Sequence, residues 1–156
     1  MTKTPCFVRL RIIGEGLNLQ EITDKIGIAP DTSYKKDEER IINVLRREEK
    51  VIYKEDGWIA ETGTKYNKKH EPIESIESVI DRFMKMLCPA TEYIRELSSK
   101  AAITFWIDGY PDSEQQNVHI SKEVIKNLFD MGITLDCSMA FLKPFYDGTH
   151  ERNRKE

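Results

Sequence analysis

Both ends of the chain carry the same pattern: an alternating strand, then an amphipathic helix, then a Gly-Ile pair. The first copy covers residues 7–28 and the second covers residues 103–133. Apolar residues at every second position predict a strand with one buried face, and spacings of three and four predict a helix with one buried stripe. A chain of 156 residues has the usual size of one domain, so we expect both copies in one fold.

The first copy has a complete set of helix signals. A strand is predicted over residues 7–13, with Val8, Leu10 and Ile12 on one side. Asn18 is placed to cap the following helix, and Gly27 is placed to end it in a left-handed conformation.

The second copy repeats these signals. A strand is predicted over residues 101–108, and Ser121 is placed to cap a helix that Gly132 ends. A last strand is predicted over residues 135–141.

The middle of the chain is less regular. Residues 37–50 predict a short amphipathic helix within a dense charge pattern, with a mobile insertion as the alternative. The Asp56-Gly57 dipeptide predicts a tight hairpin that joins a strand over residues 51–53 to a strand over residues 58–62. Pro72 suits the first position of a long helix, which Pro89 should break.

These elements together predict an α+β fold of the ferredoxin-like kind. Two β-α-β units joined by a long helix would form a mainly antiparallel four-stranded sheet, with the helices on one face and a charged inserted segment. We expect a single domain over residues 1–142 and a charged C-terminal tail over residues 143–156.

Composition excludes several classes of function. The net charge is −3 and the isoelectric point is about 5.7, whereas duplex-DNA binders normally carry a basic excess. No apolar run approaches the ~18 residues that a transmembrane helix needs, so we expect no membrane association. The N-terminus has no apolar leader segment, which favours a cytoplasmic protein.

The cysteines and histidines do not form a ligand cluster. Cys6, Cys88 and Cys137 lie far apart without a C-x-x-C pair, and the three histidines are equally dispersed. This spacing predicts no disulfide framework, no metal site and no cofactor.

The candidate binding surface is the sheet face that the helices leave uncovered. If the strands are paired as expected, this face carries arginines, carboxylates and aromatics: Arg9, Arg11, Trp106, Asp108 and Asp136. The second strand would add either Trp58 with Ala60 and Thr62, or Ile59 with Glu61. Such a face suits a protein or small-ligand partner, because aromatics supply contact area and charges set register. The same charges also suit simple cross-strand ion pairs.

Residues of the same sheet face are also compatible with two other functions. Asp108, Asp136 and Glu61 would serve a small hydrolase or transferase if they shared a pocket, although no nucleophile or oxyanion hole is marked. Phe7 and Trp106 with the two arginines would serve RNA binding, although the glycine-aromatic signature of RNA-recognition domains is missing. We favour a non-enzymatic binding module, with no catalytic residue assigned.

Apolar groups on the uncovered face predict a homodimer. Phe7, Trp106 and either Trp58 or Ile59 would form a patch that residues 143–146 cover within one chain or that a second copy covers. In the dimer, Arg9 or Arg11 would reach Asp136 of the partner subunit. The inserted segment adds an apolar stripe, Ile41, Ile42 and Leu45, which favours the dimer.

The order of short motifs is similar to that of a known family. The run Gly27-Ile28-Ala29-Pro30, Trp58 in a short strand, the helix end Leu87-Cys88-Pro89, the strand over 103–107 and the closing segment from Ser121 to Asp136 resemble the bacterial domain-of-unknown-function 4279 family. The resemblance covers residues 7–141 and departs at the charged segment over 37–55. It implies a bacterial cytosolic protein with this architecture, and it implies no activity.

Overall fold

A computed structural model of the chain describes residues 4–111 and 117–140. Its strands are β1 (Cys6–Gly14), β2 (Thr32–Tyr34), β3 (Glu39–Val44), β4 (Arg47–Ile52), β5 (Asp56–Gly63), β6 (Ala102–Gly109) and β7 (Thr134–Met139). Its α-helices are α1 (Leu19–Ile26), α2 (Ile76–Leu87), α3 (Thr91–Leu97) and α4 (Lys122–Met131), and a 3-10 turn over Cys88–Ala90 separates α2 from α3. The predicted tail over residues 143–156 lies outside the described residues.

Five strands, one more than the four expected, form one mixed sheet in the order β2-β5-β1-β6-β7. The pairs β2–β5, β5–β1 and β1–β6 are antiparallel, and β6–β7 is parallel. The α+β class and the second β-α-β unit, β6-α4-β7, are therefore confirmed. The first β-α-β unit differs from the expected one in one respect. Helix α1 leads to β2, and β5 then lies between β1 and β2, antiparallel to both.

The helices pack on one face of this sheet. Alternate residues of β1 and β6 are buried there against α2 and α4, and all belong to one core cluster: Val8, Leu10, Ile12, Ile103, Phe105, Ile107, Val79, Phe83, Val124 and Leu128. The predicted alternation of β1 is confirmed, because the period-two apolar pattern leaves only one face that can be buried. None of the described helices has the length and apolar content needed to span a bilayer.

The helix termini follow the local sequence signals. Asn18 and Ser121 each accept a hydrogen bond from the backbone N–H three residues ahead, at 3.1 and 3.2 Å. Gly27 and Gly132 end their helices with φ of 75° and 68°. These caps satisfy amide and carbonyl groups that have no partner inside a helix.

Helix α2 begins later than Pro72 suggested. Pro72 instead forms an isolated β-bridge with Tyr66, and the cap is Ser75, whose hydroxyl accepts from the Ser78 N–H at 3.2 Å. Arg82 of α2 then donates to the Gly63 carbonyl at 2.9 Å and to Glu74 at 3.0 Å. The side chain of Arg82 thereby ties α2 to the end of β5.

The inserted segment is a β-hairpin, which corrects the predicted helix over residues 37–50. Strands β3 and β4 pair with each other in a separate two-stranded sheet. The turn is Leu45-Arg46, with φ of 48° and 67°, and these angles suit a two-residue hairpin loop. Asp56-Gly57 is therefore not the tight turn; it opens β5.

The buried carboxylate of Asp56 holds the base of the hairpin against the main sheet. It accepts hydrogen bonds from the Leu17 and Lys36 amides at 2.7 and 2.8 Å and lies 3.1 Å from the Lys35 ammonium. Burial alone would raise the pKa of Asp56, but these hydrogen bonds and the lysine charge hold it below its usual value. Three segments distant in sequence are joined at one side chain.

Two stacked tyrosines lie next to Gly57, on the sheet face opposite the Asp56 carboxylate. The Tyr34 ring lies across the open space left by Gly57, where a Cβ would collide with it. Tyr53 stacks on Tyr34 with ring centroids 3.6 Å apart. The stack connects the end of β4 to the edge of the five-stranded sheet.

Candidate functional site: the open face of the sheet

We call the sheet face opposite the helices the open face, and strand register defines its residues. Arg9 lies opposite Glu61 on β5 and Trp106 on β6, and Trp106 lies opposite Asp136 on β7. In the next row, Arg11 lies opposite Ile59 and Thr104. Further residues of the face are Thr32, Tyr34, Phe7, Asp108 and Ser138.

Arg9 is held between two carboxylates. Its Nε contacts the Glu61 carboxylate, and its terminal nitrogen lies 3.0 Å from Asp108 Oδ2. Partial burial works to lower the pKa of Arg9, but the hydrogen bond and charge of Glu61 and the charge of Asp108 outweigh it and raise the pKa. Ion pairs between side chains of this exposure contribute about 1 kcal/mol or less to the free energy of unfolding. The cluster of Arg9, Glu61 and Asp108 therefore orders the open face more than it stabilises the fold.

Two neighbouring side chains contact Trp106, one at the edge of its ring system and one over its face. Its indole N–H donates to Asp108 Oδ1 at 2.7 Å, and the guanidinium carbon of Arg11 lies 5.8 Å from its ring centroid. Within residues 4–111 and 117–140, Arg11 forms no ion pair. A stacked arginine of this kind keeps its donors free for a carboxylate.

A shallow concavity of about 420 Å³ lies on this face. Its lining combines an apolar floor with charged sides: Ile59, Trp106, Arg9, Arg11, Glu61, Asp31 and Thr32. Asp31 forms part of the rim, where its carboxylate accepts from the Glu61 N–H at 2.6 Å. A few convergent polar groups around an apolar floor are typical of a small binding site.

Trp58 does not belong to the open face, which corrects one of the expected site residues. Its side chain is 0% exposed, and its indole N–H donates to Thr23 Oγ1 at 3.0 Å. The alternative, Ile59 with Glu61, is the observed one. The side-chain period of a strand is two residues, so the strand turns one of these sets inward.

The other expected residues lie on the open face. Arg9, Arg11, Trp106 and Asp108 are brought together, and Asp136 lies one strand away beside Trp106. Both oxygens of Asp108 are already engaged, by Arg9 and by Trp106.

Asp31 and Thr32 were missed by the sequence analysis. They lie in and after the Pro30 turn, where β2 has only three residues and too little alternation to be recognised.

The described residues contain no group of three or more His, Cys, Asp and Glu side chains placed to hold a metal ion. The three cysteines are free. Burial raises the pKa of each thiol, so these thiols are mostly protonated at neutral pH and are weak nucleophiles.

Comparison with known proteins identifies the family. Neither curated proteins nor solved structures gave a match to this chain. Residues 4–142 match the family described as Domain of unknown function (DUF4279). That range includes every strand and helix described above, and the chain therefore belongs to the domain-of-unknown-function 4279 family.

Proposed function

We propose that this domain is a non-enzymatic binding module whose open face holds a carboxylate-bearing segment of a partner. The observation that carries the proposal is Arg11, which lies over Trp106 in the lining of the concavity with no acidic partner among the described residues. Arg9, in the same lining, is already neutralised by Glu61 and Asp108. Arg11 is thus the cation with donors to spare.

The remaining lining suggests how the bound segment lies. Ile59 and Trp106 offer apolar area to an aliphatic or aromatic side chain. The carboxylates of Asp31 and Glu61 lie at the same concavity, where they would accept hydrogen bonds from backbone N–H groups. A peptide that ends in an apolar residue fits these groups. Its free carboxylate would bind Arg11, its last side chain would contact the apolar area, and its backbone N–H groups would donate to the two carboxylates.

The strand order supports a ferredoxin-like assignment for the scaffold. The succession β1-α1-β2-β5-α2-β6, with β5 between β1 and β2, interleaves its units as that fold does, and α4 with β7 extends it. The free cysteines support a cytoplasmic location as part of the same proposal.

Binding is better supported than catalysis. Asp108 and Glu61 are both paired with Arg9, which leaves Asp136 without a second free carboxylate at its side. The concavity is open to solvent, whereas acid-base chemistry with shifted carboxylates relies on a shielded site. For RNA, the face sets two arginines against four carboxylates, Asp31, Glu61, Asp108 and Asp136, and therefore offers no basic track for a chain of phosphates, whereas a single peptide carboxylate needs only Arg11.

Trp106 provides a built-in probe for the test. The chain has two tryptophans, and Trp58 is buried, so a ligand on the open face changes the emission of Trp106 alone. We would titrate a panel of short peptides with apolar C-terminal residues, each as the free acid and as the C-terminal amide. We expect saturable changes with the acids and at least tenfold weaker binding of the amides.

Variants then identify the group responsible. Arg11→Met should weaken binding of the acids to the level of the amides, since both changes remove the same charge-assisted hydrogen bonds. Arg95→Met is the matched control, because Arg95 is an exposed arginine on α3 that pairs with Glu92. Equal affinity for acids and amides, or unchanged binding by Arg11→Met, would contradict the proposal, as would absence of binding across the panel.

A further inference from the structure

Among the described residues, no strand pairs with the outer edge of β7. In the part of the chain that the structure describes, β7 pairs with β6 alone. Its six residues, Thr134–Met139, include neither lysine nor proline, the residues that commonly protect such edges from pairing with another chain.

An apolar strip runs along the helix-covered side of this edge. Leu135, Cys137 and Met139 lie opposite Phe105, Ile107 and Gly109 of β6. They are therefore on the side of the sheet that the helices cover. Leu135 is half-buried and Cys137 is exposed. Met139 is 38% exposed, because its sulfur lies over Gly109 of β6. The helices therefore cover β7 only in part.

Helix α4 adds two large apolar side chains, Ile125 and Phe129, which are 54% and 83% exposed. Glu123 and Asn127 of α4 line a cavity of about 280 Å³ together with residues of α2. At 3.6 residues per turn, Ile125 and Phe129 lie about 160° around the helix axis from Asn127. They face away from α2.

The direction away from α2 is the direction of the β7 edge. Helix α2 packs on β1 at the centre of the sheet, and α4 contacts β7 at its edge. We call the resulting surface the edge strip; it consists of Ile125, Phe129, Leu135, Cys137 and Met139.

We infer that a second copy of this chain docks on the edge strip, with the two β7 strands antiparallel about a twofold axis. A strand edge is complementary to itself in this arrangement, and the two five-stranded sheets become one continuous sheet. The edge strips of the two copies meet on the helix side of that sheet. An aromatic side chain buries about 150–250 Å². Phe129, which is 83% exposed, would thus supply roughly a quarter of the ~800 Å² per copy that a standard interface buries.

The charge pattern of β7 selects one register. Directly opposite residues of two antiparallel strands point to the same face of a sheet. If the helices of both copies are to lie on one side, the twofold axis must therefore pass between a residue and the same residue of the partner. Two such registers keep most of β7 paired. One register is centred on Asp136 and places it opposite the partner's Asp136, which is unfavourable because like charges oppose each other. The other register is centred on Cys137 and places Asp136 opposite the partner's Ser138, which can donate a hydrogen bond. The dimer therefore brings Cys137 next to the partner's Cys137.

This interface differs from the face-to-face dimer expected from the sequence. That expectation rested on apolar groups of the open face, but Trp58 is buried, and Phe7 lies over Gly63 and contacts the edge of Tyr110. The open face is largely ion-paired, and the edge strip is the more apolar surface.

Light scattering on the full chain tests the interface. We expect twice 18.2 kDa in the micromolar range and a monomer for Phe129→Glu, which changes an exposed position and leaves folding intact. Met86→Glu is the matched control, because Met86 is an exposed methionine on α2, and it should stay dimeric. A monomeric parent protein, or a dimer that survives Phe129→Glu, would overturn the inference.

Cross-linking tests the register. A short bis-maleimide should join two copies of the parent protein and of Cys88→Ser, and it should fail with Cys137→Ser. Cross-linking that survives Cys137→Ser would overturn the register. A dimer that is lost in Arg11→Met and retained in Phe129→Glu would place the contact on the open face instead. These masses are independent of peptide binding, so failure here is distinguishable from failure of the proposed carboxylate site.

Discussion

Replacing Asp56 by alanine should unfold the protein at markedly lower denaturant concentration. The carboxylate is 2% exposed and accepts from the Leu17 and Lys36 amides at 2.7 and 2.8 Å. A buried donor that loses its acceptor costs about 1–3 kcal/mol. The Leu17 amide carries the larger cost, because Leu17 is buried, whereas Lys36 reaches solvent.

The Lys35 ammonium adds little to this total, because its side chain is 56% exposed and pairs of that kind are worth less than about 1 kcal/mol. We therefore expect a loss of about 3 kcal/mol in the free energy of unfolding. With a urea m-value of about 2 kcal/mol/M, the midpoint should fall by about 1.5 M. Fluorescence of Trp58 in a Trp106→Phe background reports this transition from the core.

The effect should depend on pH in a defined direction. The folded protein holds the pKa of Asp56 below its usual value, so the stabilisation is complete above the unfolded pKa of about 3.9. It is lost as pH falls through the folded pKa. The difference between Asp56→Ala and the parent protein should therefore be constant near neutral pH and shrink in acid.

Glu15→Ala is the matched control, because Glu15 pairs with the neighbouring Lys36 at 2.8 Å but is largely exposed. Glu15→Ala should leave the urea midpoint unchanged within experimental error, because exposed ion pairs contribute little to stability. A loss below about 1 kcal/mol for Asp56→Ala, or a loss that does not diminish in acid, would refute the role assigned to this carboxylate.

Three further changes test other parts of the fold. Gly57→Ala should displace the Tyr34 ring and cost about 1–2 kcal/mol, measured by urea unfolding together with loss of the near-ultraviolet tyrosine signal. Replacing Leu45-Arg46 by Asn-Gly should stabilise the hairpin locally by about 1 kcal/mol, because both positions have positive φ; hydrogen exchange of the hairpin amides should slow. Arg82→Met removes hydrogen bonds to a carbonyl, a hydroxyl and a carboxylate and should cost about 2–3 kcal/mol in urea unfolding.

The elements that could be predicted from sequence are those with local signals. Strand β1 alternates without interruption, and Asn18 and Ser121 cap their helices through their own side chains. Such signals depend on residues within one turn or one strand, so no knowledge of the tertiary fold is needed.

The inserted segment could not be predicted, because its structure depends on distant partners. Strand β2 is three residues long and exists through its pairing with β5. The hairpin turn uses Leu45 and Arg46, which carry none of the usual turn chemistry. Asp56-Gly57 has that chemistry but serves as the buried start of β5.

The candidate site was predicted only in part, because one of its strands also depends on distant contacts. Alternation placed Arg9, Arg11 and Trp106 on one face. It left Trp58 and Ile59 as alternatives, because either set of β5 residues could have faced the core. Their choice follows from the hydrogen bond of Trp58 to Thr23 on α1, a contact that appears only once the helix is packed.

The hairpin of β3 and β4 makes the protein suitable for carrying foreign sequence. Its base is closed by hydrogen bonds between Asp37 and Tyr53 at 2.8 Å and between Tyr53 and Glu38 at 3.2 Å, and its tip ends at Leu45, which is 92% exposed. The ends of a peptide inserted after Leu45 would be held side by side by the paired strands. An epitope tag or a small reporter domain grafted there would thus be displayed away from the core, without use of either chain terminus.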